Sequence, residues 1–503
     1  MGLILRQSFK SSIAAYIGVT IGAINTLFIS TKFLSPDELA TLRLLLENSM
    51  IYSAFAHLGV SSIGDKFFPH FNDNTNKHNG FLSFMLLFPI IGFILFYMVY
   101  NYYETNIENY FIKKSANIIP YLRISLPMTL TWIYISIFDT YCRLNQRIAI
   151  PTFIREVFFR VLNIATILIY GFGFIDFRTF LYLNVGTLIL MLLTFIIYVK
   201  KIDKLYLNLD FKKWNSKLFR QVLMFGSLTI LTGIGSNLFL FLDRNIIASN
   251  IGTTAVAIFT IAFFIASIIE IPSKSIKLIT VPFLSQAIFE NDKQKIAELY
   301  QKSANNLLIV GGLIYLIIFA TVDEILFLIP NTEVYSQGKY VILILGLTKW
   351  IEISFGMNLE MINYSKFYFY NTIIILLVTI LAIVGNYILI PQFGIIGSAI
   401  ATGGVALIGS LIRMIIINFK YVLSPFTKAS LKSIIVFLIL IGSTYFLPNF
   451  TSNKILCFLS IALKSIIYSS IIIFAIIKLN LSIELKGVVL TSFKKLLKTI
   501  EKE

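Results

Sequence analysis

The sequence predicts an all-α integral membrane protein. About 14 transmembrane helices form two six-helix lobes in parallel repeat, two further helices follow, and both termini are cytoplasmic. Three observations predict it. Of 503 residues, 57% are hydrophobic and only 13% charged, where a soluble domain carries about 25% charge. The apolar residues fall in runs of roughly 20, enough for a helix to cross a hydrocarbon core about 30 Å thick with its backbone satisfied. The basic residues collect on alternate connections.

The first run, Ser11 to Phe33, is long enough to span and lacks a small-residue cleavage site, so it reads as a retained anchor rather than a signal peptide. Leu42 to Ile63, Gly80 to Tyr100, Ile119 to Tyr141, Pro151 to Gly173 and Thr179 to Val199 complete a first set. The second set is Leu218 to Leu240, Thr253 to Ile271, Leu307 to Ile329, Tyr340 to Asn363, Phe369 to Ile390 and Gly394 to Phe419. Leu431 to Leu447 and Ile455 to Ile477 are the appended pair. The second and tenth runs are the least hydrophobic.

With the first residue inside, the inner loops and tails collect about 26 Lys and Arg against about 6 outside, the bias of a positive-inside protein. Much of the +17 net charge sits in "KKIDKLYLNLDFKKWNSK" and the C-terminal tail. It serves topology and anionic lipid heads rather than nucleic acid. The expected division is residues 1–200 and 201–420 for the lobes, 421–477 for the appended helices and 478–503 for a tail. In that tail Val488, Phe493, Leu497 and Ile500 alternate with lysines as in a basic amphipathic helix on the inner leaflet; a frayed solubilising tail is the other reading. The lobes rest on a weak internal repeat: "NIATILIYGFGFIDFRTF" and "NYILIPQFGIIGSAIA" each place an Asn before a Phe-Gly turn, with six spans between the copies.

Four runs carry polar stripes. On a helix of about 100° per residue, Lys349, Glu352, Gly356, Glu360 and Asn363 share one face of the tenth run. Arg43, Glu47, His57, Ser61 and Asp65 share a face of the second. Glu156, Arg160 and Asn163, with Arg155 beside them, do so in the fifth, and Glu270, Lys274 and Lys277 line the inner end of the eighth. Arg123 adds a cation near the outer end of the fourth. A charge at a helix centre costs at least about 2.5–3.5 kcal/mol in lipid, so such faces belong on a cavity or a partner helix. Plain alternatives stand beside this: Glu270 with Lys274 and Glu156 with Arg160 have the spacing of intrahelical pairs, and Arg43 and Arg123 could anchor at the interface. Arg43, Arg123, Arg155, Arg160 and Lys349 are the candidate head-group ligands, since cationic forks suit phosphate oxygens. Glu47, Glu352, Glu360 and Asn363 are candidate coupling or sugar contacts, with Trp350, Tyr364 and Asn358 nearby; Glu270 and Lys274 are a candidate inner gate.

No phosphate-binding glycine loop is present, so ATP hydrolysis through one is excluded. His57, His70 and His78 have no metal-ligand spacing, and no cofactor or metal is expected beyond a coupling ion, proton or sodium. Cys142 and Cys457 imply no disulfide framework. Outer loops too short for a catalytic domain disfavour a membrane glycosyltransferase or polymerase.

Two segments carry a resemblance. "FLDRNIIASNIGTTAVAIFTIAFFIASIIEIPSKSIKLITVPFLSQAI" places Asp243 and Arg244 before a turn and Pro282 to Ser285 after it. "GNYILIPQFGIIGSAIATGGVALIGSLIR" has Asn386, Pro391, Gly394, Gly397 and Thr402, with Ser398 where Ala is usual. With the span layout, these resemble the polysaccharide or O-antigen flippases (Wzx type) of the multidrug/oligosaccharidyl-lipid/polysaccharide (MOP) exporter superfamily, whose lobes are MATE-like. The resemblance implies a transporter, not an enzyme, that turns an undecaprenyl-pyrophosphate-linked oligosaccharide from the inner to the outer leaflet of the bacterial cytoplasmic membrane by alternating access. It further implies a monomer working beside polysaccharide polymerase and glycosyltransferases. A lipid II flippase and a cation-coupled multidrug exporter share the architecture and remain alternatives, as does an inactive scaffold.

Overall fold

A computed structural model describes residues 2–71, 73, 77–202, 209, 214, 216–451 and 453–500, with side chains left out at 2–6, 8, 9, 77, 228 and 492–500. Most of the basic stretch from Lys200 to Lys217, and the side chains of Phe493, Leu497 and Ile500, therefore lie outside the description. The described residues form helices and turns, with no strand among them. In chain order the main helices are α1 (Gly2–Ile24), α2 (Pro36–Ala56), α3 (Val60–Phe71), α4 (Phe81–Phe111), α5 (Ser125–Leu144), α6 (Phe159–Gly171), α7 (Phe177–Ile202) and α8 (Ser216–Asn250). They continue as α9 (Thr253–Ser267), α10 (Ile271–Phe289), α11 (Lys293–Leu328), α12 (Lys339–Ser354), α13 (Asn358–Asn363), α14 (Tyr368–Tyr421), α15 (Lys428–Ser443), α16 (Lys454–Leu479) and α17 (Ile483–Ile500).

Two compact units emerge: Met1–Ala257 with Thr379–Gly394, and Ile258–Val378 with Ile395–Glu503. In the first, α2 packs on α5 and α8, and α5 on α7. The start of α2 is written locally. Ser35 Oγ accepts from the Glu38 amide at 3.3 Å while Glu38 Oε2 accepts from the Ser35 amide at 2.9 Å, and Pro36 opens the helix. Two wide-turn π segments, Asn25–Ile29 and Ile154–Phe158, interrupt the helices that carry α1 and α6. In the second unit α11 is central, touching α12, α15 and α16.

Ten stretches among the described residues are long and apolar enough to cross a membrane. The expected runs Leu42 to Ile63, Pro151 to Gly173 and Tyr340 to Asn363 are not among them. Each carries a charged stripe, and each is interrupted. The second run breaks at His57, where Leu58 and Gly59 take φ of 51° and 69°. The tenth breaks at Gly356, at φ 67°. A Cβ there would sit 2.9 Å from the Ala304 amide nitrogen, so glycine is required both by conformation and by the close approach of α11. The expected eleventh and twelfth runs share α14, which turns at Gly394 with φ 62° and ψ −141°.

Candidate functional site

In the first unit, Arg244 of α8 is the hub of a buried charged group. Its Nε lies 3.3 Å from Glu47 Oε1 of α2, and its Nη1 lies 3.1 Å from Asp243 Oδ1 and donates to the Leu240 carbonyl at 2.8 Å. Arg244 is 3% exposed, and burying it in an apolar helix is tolerable because two carboxylates share its charge. Arg43, one turn before Glu47, donates to Thr26 Oγ1 at 3.2 Å and feels the charges of Glu47, Arg244 and Arg160. The next residue on each helix continues the contact as amides, with Asn245 donating to Asn48 Oδ1 at 2.8 Å.

Arg160 makes an intrahelical pair with Glu156 at 2.8 Å, as its spacing allows, and also donates to the Gly18 carbonyl of α1 at 2.5 Å. Gly18 permits this approach, because a Cβ there would lie 2.7 Å from Glu156. Arg155 turns to Asp139 of α5 at 3.0 Å. Asn163 sits in an amide ladder, accepting from Asn25 at 2.9 Å and donating to Asn184 at 2.8 Å. Arg123 pairs instead with Glu104 through two hydrogen bonds of 2.5 and 2.6 Å and is mostly exposed.

The stripe expected from Arg43 to Asp65 is not continuous. The break at His57 separates Arg43 and Glu47 from a second polar group, in which His57 and Ser61 are 3.0 Å apart, Thr140 donates to Ser61, and Asp65 pairs with Arg143 at 2.8 Å. A straight-helix projection cannot register a left-handed turn in mid-run.

In the second unit, Lys349 Nζ of α12 lies 2.5 Å from Glu270 Oε1 and 4.6 Å from the centre of the Phe263 ring. Lys277 of α10 pairs with Glu360 of α13 at 3.0 Å. Glu352 lies within electrostatic reach of Glu270, Lys349, Arg413 and Lys277. Asn363 accepts from Asn371 at 2.7 Å, and Asn371 accepts in turn from Arg413 Nε at 3.1 Å. The break at Gly356 replaces the single face expected for the tenth run with two short helices whose charges are brought together by α10 and α14. Glu270 takes Lys349 as its partner, while Lys274 is exposed. Trp350 is a core residue, donating to the Leu308 carbonyl at 2.9 Å and stacked on Tyr315.

Two charged features escaped the sequence reading. Arg413 sits near the end of a run otherwise apolar, where a single cation reads as an interface anchor. Lys464 of α16 and Glu324 of α11 form a buried pair at 2.5 Å, 5% and 0% exposed at the side chain. A Lys and a Glu more than a hundred residues apart give no periodic signal, although Lys464 and the adjacent Asp323 and Glu324 inside apolar runs were the available clue.

No family model matches the chain. A probable low-salt glycan biosynthesis flippase of Haloferax volcanii, Agl15, is 24% identical over 201 residues, which are 39% of this chain and 41% of that relative's length. Among solved structures, the lipid II flippase MurJ in an inward closed conformation superposes with a TM-score of 0.70 at 15% identity, covering 93% of this chain and 99% of that one. An inward-facing multidrug resistance MATE family transporter of the MOP superfamily gives 0.63 at 17% identity, over 80% and 95% of the two chains. A MOP superfamily transporter from Pyrococcus furiosus gives 0.55 at 16% identity, over 88% and 96%. The fold is that of the MOP-superfamily membrane transporters. The chain is a multi-pass membrane protein of that fold, its neighbours and relative are transporters and flippases rather than catalysts, and the resemblance read from the sequence agrees with them.

Proposed function

We propose that the protein is a flippase for a polyprenyl-pyrophosphate-linked oligosaccharide, an O-antigen, capsule or exopolysaccharide repeat unit, moved from the inner to the outer leaflet of the cytoplasmic membrane by alternating access. One observation carries the choice within the fold: of the carboxylates in the two charged groups, all but Glu352 already face cations. Glu47 faces Arg244, Glu156 faces Arg160, Glu270 faces Lys349 and Glu360 faces Lys277. An exporter of cationic drugs needs carboxylates to spare. A carrier of phosphate and sugar needs cations held in place and amides between them, and Arg43, Asn48, Asn245 and Asn371 supply these. The glycan flippase among the relatives supports the same reading.

In this reading the two six-helix lobes rock while the lipid tail stays in the bilayer. Arg43, Arg155, Arg160 and Lys349 contact the head group, Glu47, Glu352 and Glu360 meet sugars or a coupling ion, and glycosyltransferases supply the cargo. The test is reconstitution: purified protein in proteoliposomes containing a fluorescent polyprenyl-pyrophosphate oligosaccharide, with translocation read by quenching from outside. Turnover of the oligosaccharide is expected. Turnover of cationic dyes alone, or of lipid II in preference to other glycans, would replace the reading with one of its alternatives.

A further inference from the structure

We propose that Arg413 is an anion ligand of the second unit: its guanidinium fork takes a phosphate or carboxylate of the cargo while Glu360 accepts from a hydroxyl of the same molecule. The inference rests on the proposed transport reading and names a residue that reading lacks. The unit gathers three cations, Lys277, Lys349 and Arg413, beside three carboxylates, Glu270, Glu352 and Glu360. Two pairs are closed, Lys349 with Glu270 and Lys277 with Glu360. Arg413 and Glu352 sense each other's charge, yet among the described residues neither makes an ion pair within 4.0 Å.

Arg413 is nonetheless held in place. Its Nε is tied to Asn371, which is tied to Asn363, so the two Nη groups are oriented with no carboxylate upon them. Glu360 Oε2 is buried and has no hydrogen-bond partner among the described residues, leaving an acceptor near the fork. An oriented fork with a free edge matches two oxygens of a phosphate or carboxylate. Lys349 is less available, because engaging an anion would strip Glu270 of its cation.

Such an anion has two sources, the pyrophosphate of the lipid carrier and an acidic sugar. Binding of a short-chain polyprenyl pyrophosphate and of a glucuronate-bearing oligosaccharide is measured on the full protein in nanodiscs, for wild type, Arg413→Ala, Arg413→Lys, Asn371→Ala and the control Lys339→Ala. Arg413→Ala is expected to weaken one probe at least about tenfold, the loss of one charge-assisted contact. Arg413→Lys should recover part of the loss, Asn371→Ala should fall between, and Lys339→Ala should match wild type. A loss for pyrophosphate alone assigns the carrier, and a loss for the oligosaccharide alone assigns the acidic sugar. Wild-type affinity of Arg413→Ala for both probes overturns the proposal, as does a wild type that binds neither. If Arg413→Ala does not fold, wild-type binding by both Arg413→Lys and Asn371→Ala overturns it equally. A wild type that binds but does not translocate sinks the flippase reading and leaves the anion site standing.

Discussion

Lys349 and Glu270, 79 residues apart in sequence, meet at 2.5 Å as the ion pair that joins α12 to the turn before α10. Removing one partner leaves the other charged in a poorly hydrated setting, which is costlier than losing both. Lys349→Met is therefore expected to destabilise by about 2 kcal/mol or more, and Lys349→Met with Glu270→Gln by clearly less. Thermal unfolding of wild type, Lys349→Met, Glu270→Gln and the double variant in one detergent gives the cycle. In proteoliposomes the charge-reversed pair, Lys349→Glu with Glu270→Lys, should separate pair formation from head-group contact. Folding without transport assigns the lysine's position to the cargo, and recovery of both assigns it to structure.

Gly356 offers a test of the break that splits the tenth run. Its positive φ and the 2.9 Å approach of α11 both exclude a side chain. Gly356→Ala should lower stability by about 1–3 kcal/mol, through backbone strain added to steric displacement. Gly404, where a Cβ meets nothing within 4 Å, serves as the comparison, and Gly404→Ala should unfold near wild type. Equal melting of the two variants would mean that α12 and α13 can run as one helix.

How much of this was readable from the sequence differs between the two levels. Helix positions follow from apolar runs that satisfy their own backbones, so α7 and α16 fall close to where hydropathy places them, while α4 continues past Tyr100 to Phe111 and α11 begins at Lys293, ahead of the expected Leu307. Partnership does not follow. Arg160 with Glu156 was legible because both lie on one helix, whereas Glu47 with Arg244 and Lys349 with Glu270 are tertiary and leave no mark in spacing. The turns at Gly59 and Gly356 were illegible for another reason. A glycine within a long apolar run reads as a packing residue unless the helix pressing against it is known. Arg413 was missed because one cation makes no stripe.

The contact of α17 with α11 depends on pH with a definite sign. Partial burial pushes the Glu484 carboxyl up, but hydrogen bonds from Lys302 and the backbone pull it further down, and the net value lies below the ordinary carboxylate range. A depressed folded value means stability that is fully present above the unfolded value and lost as pH falls through the folded one. Protection of the α17 amides, taken relative to their intrinsic exchange rates, should therefore be high at neutral pH and fall in the acid range. Glu484→Gln should show low protection at every pH. A wild type whose protection does not change with pH would remove Lys302 and Glu484 from the docking of this helix.

Lys464 and Glu324 decide how α16 is held. Lys464 Nζ bonds Glu324 Oε1, the Ala320 carbonyl at 3.0 Å and Asn449 Oδ1 at 3.1 Å, while Ser460 donates to the same Glu324 oxygen at 3.1 Å. Asn449 also donates to Asp323, which pairs with Lys339 at 2.7 Å, so α16 is stitched to α11 by directed bonds. Apolar packing alone would let one helix slide along the other in lipid, where every register buries similar surface. The pair therefore sets register more than it adds stability. Lys464→Met leaves Glu324 charged and alone and should cost about 3–5 kcal/mol. Lys464→Met with Glu324→Leu should restore the melting temperature but not the register. Cysteine cross-linking between α11 and α16, read at positions one turn apart, distinguishes the two: a single cross-linked register in the double variant would show that packing suffices.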